Sequence, residues 1–299
     1  MTTPPLNRVI ERINRTYGSW TRNTTIETMR ADWDVLFSSA AVAAQVEDFE
    51  IDAMACRWVR AAEVTCPAIV LYIHGGGFRL GSIDSHQKLM SDIACSVGCQ
   101  VLGFNYRLLP DHRFPAPLDD TLIAYRWLLA QGYPAEHIVV AGDSAGGGLA
   151  ASLLQLLRLE KQLPMPGGLL LLSPWLDMTL SGDSYDSRAE LDPVHQKKML
   201  QLLASQYAGD SAELDNPLLS PLFGDLTDLP PTLIQVGDCE VGLDDAVSYS
   251  RKAKESGSPI QLSIWSSMIH VFQMFADELD SGREAIQKIG AFIRATVSN

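Results

Sequence analysis

The sequence predicts an α/β protein, with a mostly parallel central sheet flanked on both faces by helices. Three observations carry that prediction. Short apolar runs of strand length recur from about Ala68 to Trp265, and segments long enough for a helix separate them. The chain has 299 residues, 46% of them apolar and 20% charged, which suits one large α/β domain of a globular protein.

Val46–Ile51 and Cys56–Arg60 come first and read as a hairpin at the sheet edge. The buried strands follow as Ala68–Ile73, Gln100–Phe104, Ile138–Ala141, Leu169–Leu172, Thr232–Val236 and Ile260–Trp265. Each is a nearly continuous apolar run bounded by Gly, Pro or polar residues, as a strand covered on both faces requires. Helices are expected at Ser85–Val97, Pro117–Gln131, Gly146–Lys161, Asp244–Ser256 and Gly282–Val297.

Two segments break this rhythm. Residues 1–45 read as an N-terminal helical extension holding Tyr17, Trp20, Met29, Trp33 and Phe37. Residues 177–216 read as an insertion after a strand, with a helix near Val194–Tyr207. Any one of their aromatics packs as well against a core as against a ligand. An insertion at the carboxyl end of a sheet strand nevertheless stands where α/β sites form, so the two segments together are read as a cap. Residues 46–299 then form the main α/β domain.

Twenty-three Lys and Arg against 36 Asp and Glu leave a net charge of −13, and no basic cluster offsets it. Nucleic acid and anionic membrane surfaces are therefore poor partners. Arg8, Glu11, Arg12 and Arg15 interrupt the first 18 residues, which offer no signal-peptide core, and no apolar stretch is long enough to span a membrane. The five cysteines are scattered, with neither a C-x-x-C pair nor zinc-ligand spacing. Free thiols, a cytoplasmic location and no metal are the expectation.

Gly142-Asp143-Ser144-Ala145-Gly146 lies between an expected strand and an expected helix. G-x-S-x-G in that setting is a nucleophile elbow: the glycines relieve a sharp turn that lifts the serine hydroxyl clear of the sheet. Gly182-Asp183-Ser184 opens the same way but lacks the closing glycine and the preceding strand, and reads as an ordinary turn. His74-Gly75-Gly76-Gly77-Phe78 follows the strand Ala68–Ile73. Its glycines can aim backbone amides into a cavity, as a tetrahedral oxyanion needs, and the expected donors are the amides of Gly76, Gly77 and Ala145. A phosphate loop fits poorly, since no G-x-G-x-x-G and no Gly-Lys-Ser/Thr is present.

A serine hydroxyl needs a base. α/β-hydrolases order their triad as Ser, acid, His. Of the two histidines after Ser144, His195 lies in the insertion before any strand that could supply the acid, and His270 follows the last strand. His270 is therefore the expected base, and His74 is expected to be structural. The acid should follow Thr232–Val236, where the loop offers Asp238, Glu240, Asp244 and Asp245. The last two suit the start of the next helix, and elementary chemistry leaves Asp238 and Glu240 both open.

These motifs resemble those of the bacterial hormone-sensitive-lipase-like esterases, the family IV carboxylesterases of the α/β-hydrolase superfamily. The likeness runs from about Ala68 to Ile293. It adds Tyr106-Arg107-Leu108-Leu109-Pro110-Asp111-His112, Phe114-Pro115-Ala116-Pro117, Ser173-Pro174-Trp175 and His270-Val271-Phe272. The family's usual Glu-x-Asp-Pro-Leu is not matched here. A branch with Gly-x-x-Glu-x-x-Leu-Asp-Asp is closer to Gly237–Asp245 and implies Glu240 as the acid. The resemblance further implies the α/β-hydrolase fold with a helical cap, and frequent homodimerisation.

The expected activity is cofactor-free hydrolysis of short- to medium-chain acyl esters through an acyl-enzyme, with Ser144, His270 and Glu240 as the triad. Trp20, Trp33, Phe78 and Met199 are the candidate pocket residues, and Asp143 is expected to be structural. A lactonase or amidase with the same triad stays open, because pocket shape decides the bond. A ligand receptor on the same fold fits less well, since nucleophile, base and both oxyanion elements are present.

Overall fold

The structure is a computed structural model that describes residues 4–38, 42–210 and 212–297. Residues 1–3 and 39–41 of the expected extension, 211 of the insertion, and 298–299 lie outside the described residues. The chain opens with α1 (Pro4–Ser19) and α2 (Ile26–Phe37), followed by the hairpin β1 (Gln45–Ile51) and β2 (Met54–Arg60). The alternating part runs β3 (Ile69–Ile73), α3 (Gln87–Val97), β4 (Gln100–Phe104), α4 (Ala116–Ala130), β5 (Ile138–Asp143), α5 (Ser144–Glu160) and β6 (Gly168–Leu172). The insertion carries α6 (Ser184–Ser187) and α7 (Lys197–Ala208). Then come β7 (Thr232–Gly237), α8 (Leu243–Glu255), β8 (Ile260–Trp265) and α9 (Asp280–Val297).

Among the described residues eight strands form one sheet in the order β1-β2-β4-β3-β5-β6-β7-β8. The hairpin joins it antiparallel through β2 against β4, and β3 through β8 are parallel. Alternation along each strand divides the core in two. Ile69, Leu71 and Ile73 point to the face covered by α4, α5 and α8, where Leu122, Leu149 and Tyr249 pack. Val70 and Tyr72 point to the opposite face, against Ile93 of α3 and Ile289 of α9.

A helix as short as α1 is marginal by itself in water. It is held by burying Leu6, Val9 and Ile13 against Trp265, Phe272 and Phe275. Each such side chain is worth about 1.5–3 kcal/mol of apolar burial. Arg12 adds a two-pronged ion pair to Glu278, at 2.5 and 3.2 Å. α2 starts where Thr25 accepts a hydrogen bond from the Thr28 amide at 3.2 Å.

The expected elements all form, and their ends shift for local reasons. α3 begins at Gln87 instead of Ser85, because Ser85 is used in a turn in which its hydroxyl accepts from the Ser82 amide. β5 runs on to Asp143 and α5 starts at Ser144 instead of Gly146, so strand and helix meet with no loop between them. That junction places the serine.

Candidate active site

Each chemically interesting residue stands at the carboxyl end of a parallel strand, where an open α/β sheet forms its crevice. Ser144 follows β5 with φ of 52°, a left-handed conformation that a side chain adopts only when its surroundings enforce it. The enforcement is visible at Gly146, where a Cβ would lie 2.1 Å from the Ile73 carbonyl oxygen. Any larger residue there would push α5 away from β3 and unseat the turn. The loop after β3 uses glycine for a second reason. Gly76 has φ of 112°, and a Cβ on it would meet the Leu80 carbonyl oxygen at 2.2 Å.

Asp143 ties these two loops together. Its buried carboxylate accepts from the Tyr72 hydroxyl at 2.8 Å and from the Gly75 amide at 3.0 Å, and it lies beside His86. Burial works to raise its pKa, but His86 and the Tyr72 hydroxyl outweigh burial and hold it below the usual carboxylate value. It therefore stays ionised and fixes the glycine loop against the elbow. Tyr106 supports the same loop from outside, stacking on His74 at 4.2 Å and donating its hydroxyl to the His74 carbonyl at 3.0 Å. Burial and the nearby His86 push the His74 imidazole down to about 3, so it is neutral.

Glu240, in the loop between β7 and α8, is 1% exposed. Its Oε2 lies 2.8 Å from His270 Nδ1. Its Oε1 accepts from the Ser173 hydroxyl at 2.7 Å and from the Gly237 amide at 2.5 Å. Ser173 in turn accepts from the Val271 amide at 3.0 Å, so one hydroxyl aligns both the acid and the segment that carries the histidine. Burial would depress the His270 pKa, yet the Glu240 charge and hydrogen bond override it and the net direction is upward. His270 Nε2 is buried and has no hydrogen-bond partner among the described residues.

Ser144 and His270 line one cavity of about 300 Å³ together with Gly76 and Gly77. α1, α2 and the turn between them contribute Tyr17, Trp20, Trp33 and Phe37 to its wall, and the insertion contributes Val194, Met199 and Leu203. The wall aromatics pack on one another, Tyr17 on Trp20 at 4.9 Å and Trp33 on Phe37 at 4.6 Å. A pocket of about 20 Å³, lined in part by Trp175, Tyr185 and Leu200, shares Gly77, Ser144, His195 and His270 with the larger one. No group of three or more His, Cys, Asp or Glu suited to a metal ion occurs among the described residues.

The family described as alpha/beta hydrolase fold matches residues 70–274. An acetyl-hydrolase of Streptomyces hygroscopicus is 37% identical over 297 residues, covering 98% of this chain and 97% of its own. A crystallised esterase of the bacterial hormone-sensitive lipase family is 39% identical and superposes with a TM-score of 0.94, over 99% of both chains. An esterase of Acinetobacter venetianus is 36% identical over 231 residues, covering 77% of this chain and 76% of its own. The chain belongs to the bacterial hormone-sensitive-lipase family of α/β-hydrolases.

Within this hydrolase the structure separates the residues that sequence left together. Glu240 reaches His270, whereas Asp238 accepts from the Ser267 amide at 2.6 Å and takes no part in that contact. Asp244 and Asp245 tie down the insertion: Asp244 accepts from the Ser184 amide, and Asp245 from the amides of Leu176 and Asp177 and the Tyr185 hydroxyl. Burial raises the Asp245 carboxyl to about 8. Trp20, Trp33 and Met199 line the cavity, but Phe78 does not. It is 1% exposed and stacks face to face on Tyr207 at 3.7 Å, so it is a core residue. Its position beside the glycine loop misleads because φ of 60° turns its side chain into the core.

Two site residues escape a reading of sequence alone. Ser173 is visible there only as part of a Ser-Pro-Trp motif, with no sign that its hydroxyl reaches Glu240. His195 is set aside by chain order, yet its ring lies 4.3 Å from that of His270, nearly perpendicular at 88°. Burial and the neighbouring His270 push it down to about 3.

Proposed function

We propose that this chain is a carboxylic ester hydrolase whose triad is Ser144, His270 and Glu240. The observation that carries the reading is the Glu240–His270 contact at 2.8 Å beside a strained elbow serine in the same cavity. Ser144 Oγ attacks the ester carbonyl while His270 Nε2 takes its proton, with Glu240 stabilising the imidazolium through Nδ1. The oxyanion is received by the amides of Gly76, Gly77 and Ala145, the last among the first amides of α5, which no helical carbonyl satisfies. His270 then gives its proton to the leaving alcohol, and afterwards activates the water that releases the acid.

α1, α2 and the insertion form the cap of this reading, supported by their shared contribution to the cavity wall. About 300 Å³ lies at the small end of ligand pockets and favours short- to medium-chain acyl groups. Across p-nitrophenyl esters from acetate to palmitate, kcat/KM should peak between acetate and octanoate. A maximum at palmitate, or no turnover at any length by folded protein, would overturn the assignment.

The pH dependence follows from the base. His270 works only when neutral, and its pKa is raised above the ordinary value of 6.5. Activity is therefore lost as pH falls, and the acid limb of kcat/KM should have its midpoint above that value. A limb centred well below it contradicts the charged Glu240 partner.

No helix among the described residues is long and apolar enough to cross a membrane. The five free cysteines support a reducing, cytoplasmic setting. A homodimer belongs to the same reading, supported by the edge strand β8, where Ile264 is 49% exposed. Sedimentation showing only monomer at micromolar concentration would remove it.

A further inference from the structure

We propose that His195 is a positioning residue for the reaction, a second imidazole delivered by the insertion that holds the ring plane of His270 and excludes water from it. The inference rests on the reading of His270 as the base. Three observations support it.

The first is the contact itself. The two rings meet edge to face, 4.3 Å between centroids and 88° between planes. Glu240 grips His270 only at Nδ1, and a single hydrogen bond leaves the imidazole free to pivot about that contact. A perpendicular ring against it removes that freedom. The second is placement. His195 lines the large cavity and the small pocket, both of which it shares with Ser144, Gly77 and His270, so it stands beside the reacting groups and not behind them.

The third is the way His195 is held. Asp192 is 5% exposed, and its Oδ1 accepts from the amides of Val194 and His195 at 2.8 and 2.9 Å. Its Oδ2 accepts from the Val241 amide at 2.9 Å, one residue past Glu240. One buried carboxylate therefore ties the His195 backbone to the acid loop, and the insertion and the triad share a frame. Seating of the insertion and alignment of the base become one event.

The charges around His270 agree with this role. Glu240, Asp192 and Asp143 all favour its imidazolium, and burial opposes it. His195 stays neutral, so it adds no repulsion when His270 takes the serine proton. Its contact with His270 is ring against ring, which makes shape its means of action.

The test compares His195→Ala, His195→Phe and His270→Ala with wild type, using p-nitrophenyl butyrate across pH and a thermal melt for each protein. His195→Ala should lower kcat by about 10- to 100-fold with KM changed less than about 3-fold, since a misplaced base costs rate more than ground-state binding. Water admitted to His270 lessens the depressing effect of burial, so its acid limb should move to higher pH. His195→Phe restores a flat ring of similar outline, and should bring both kcat and the limb back towards wild type.

Unchanged kcat in His195→Ala overturns the proposal. So does a loss confined to KM, or a His195→Phe that melts like wild type yet is as slow as the alanine variant. A His270→Ala enzyme that retains wild-type rates instead removes the base assignment, and with it this inference. An inactive His270→Ala beside a normal His195→Ala removes this inference alone.

Discussion

Ser144→Ala is expected to lower kcat by about five to six orders of magnitude, the loss typical of removing a nucleophile from a triad that acts as a unit. The structure gives the physical reason for so large a number. His270 Nε2 has no hydrogen-bond partner among the described residues and shares its cavity with Ser144, so no competing hydroxyl is bonded to the imidazole. Ser173 is the nearest substitute by chemistry, but its hydroxyl is already donated to Glu240. The alanine variant should fold normally, because the φ of 52° is enforced by the close packing of Gly146 on β3 and not by the serine side chain. Single-turnover and steady-state assays with p-nitrophenyl butyrate would check it. More than about a hundredth of wild-type rate in a folded sample is incompatible with Ser144 as the nucleophile.

The second large effect distinguishes two carboxylates that stand two residues apart. Glu240→Gln should reduce kcat by about three to four orders of magnitude, because a neutral amide neither stabilises the imidazolium nor fixes the productive tautomer. Asp238→Asn keeps an oxygen that can accept from the Ser267 amide and does not touch His270, so its kcat should stay within about 3-fold of wild type. Equal losses in the two variants would mean that the acid loop acts through its overall charge and not through the Glu240 contact.

Much of the molecule is legible from residue order. The strands Gln100–Phe104 and Ile260–Trp265 are found with both ends correct, and the other buried strands to within two residues. A parallel strand covered on both faces has to be a continuous apolar run, which is what makes these segments stand out. The elbow and the glycine loop are equally plain, since each is a short contiguous segment whose backbone demands glycine at fixed places. Even Asp143, a residue that invites a proton-transfer role, is recognisable as structural, and its bonds to Tyr72 and Gly75 give the reason.

The failures share a cause. Phe78 adjoins the glycine loop in sequence, but one positive φ sends it to Tyr207 in the core. Ser173 and His195 belong to segments whose chemistry depends on residues 67 and 75 positions away, Glu240 and His270. No local pattern announces either contact.

The sequence by itself determined the sheet, the sharp strand-to-helix turn at Ser144, the glycine loop after β3 and the place of His270 after the last strand, because each is specified by contiguous residues or by the order of strands. Only the tertiary structure brings Glu240 to His270 and Asp238 to the Ser267 amide, sets Phe78 in the core, and places the insertion's histidine against His270. Those outcomes depend on which side chains converge when distant loops meet at one end of the sheet. That convergence is fixed by packing and hydrogen bonds across the fold, which no stretch of residues encodes alone.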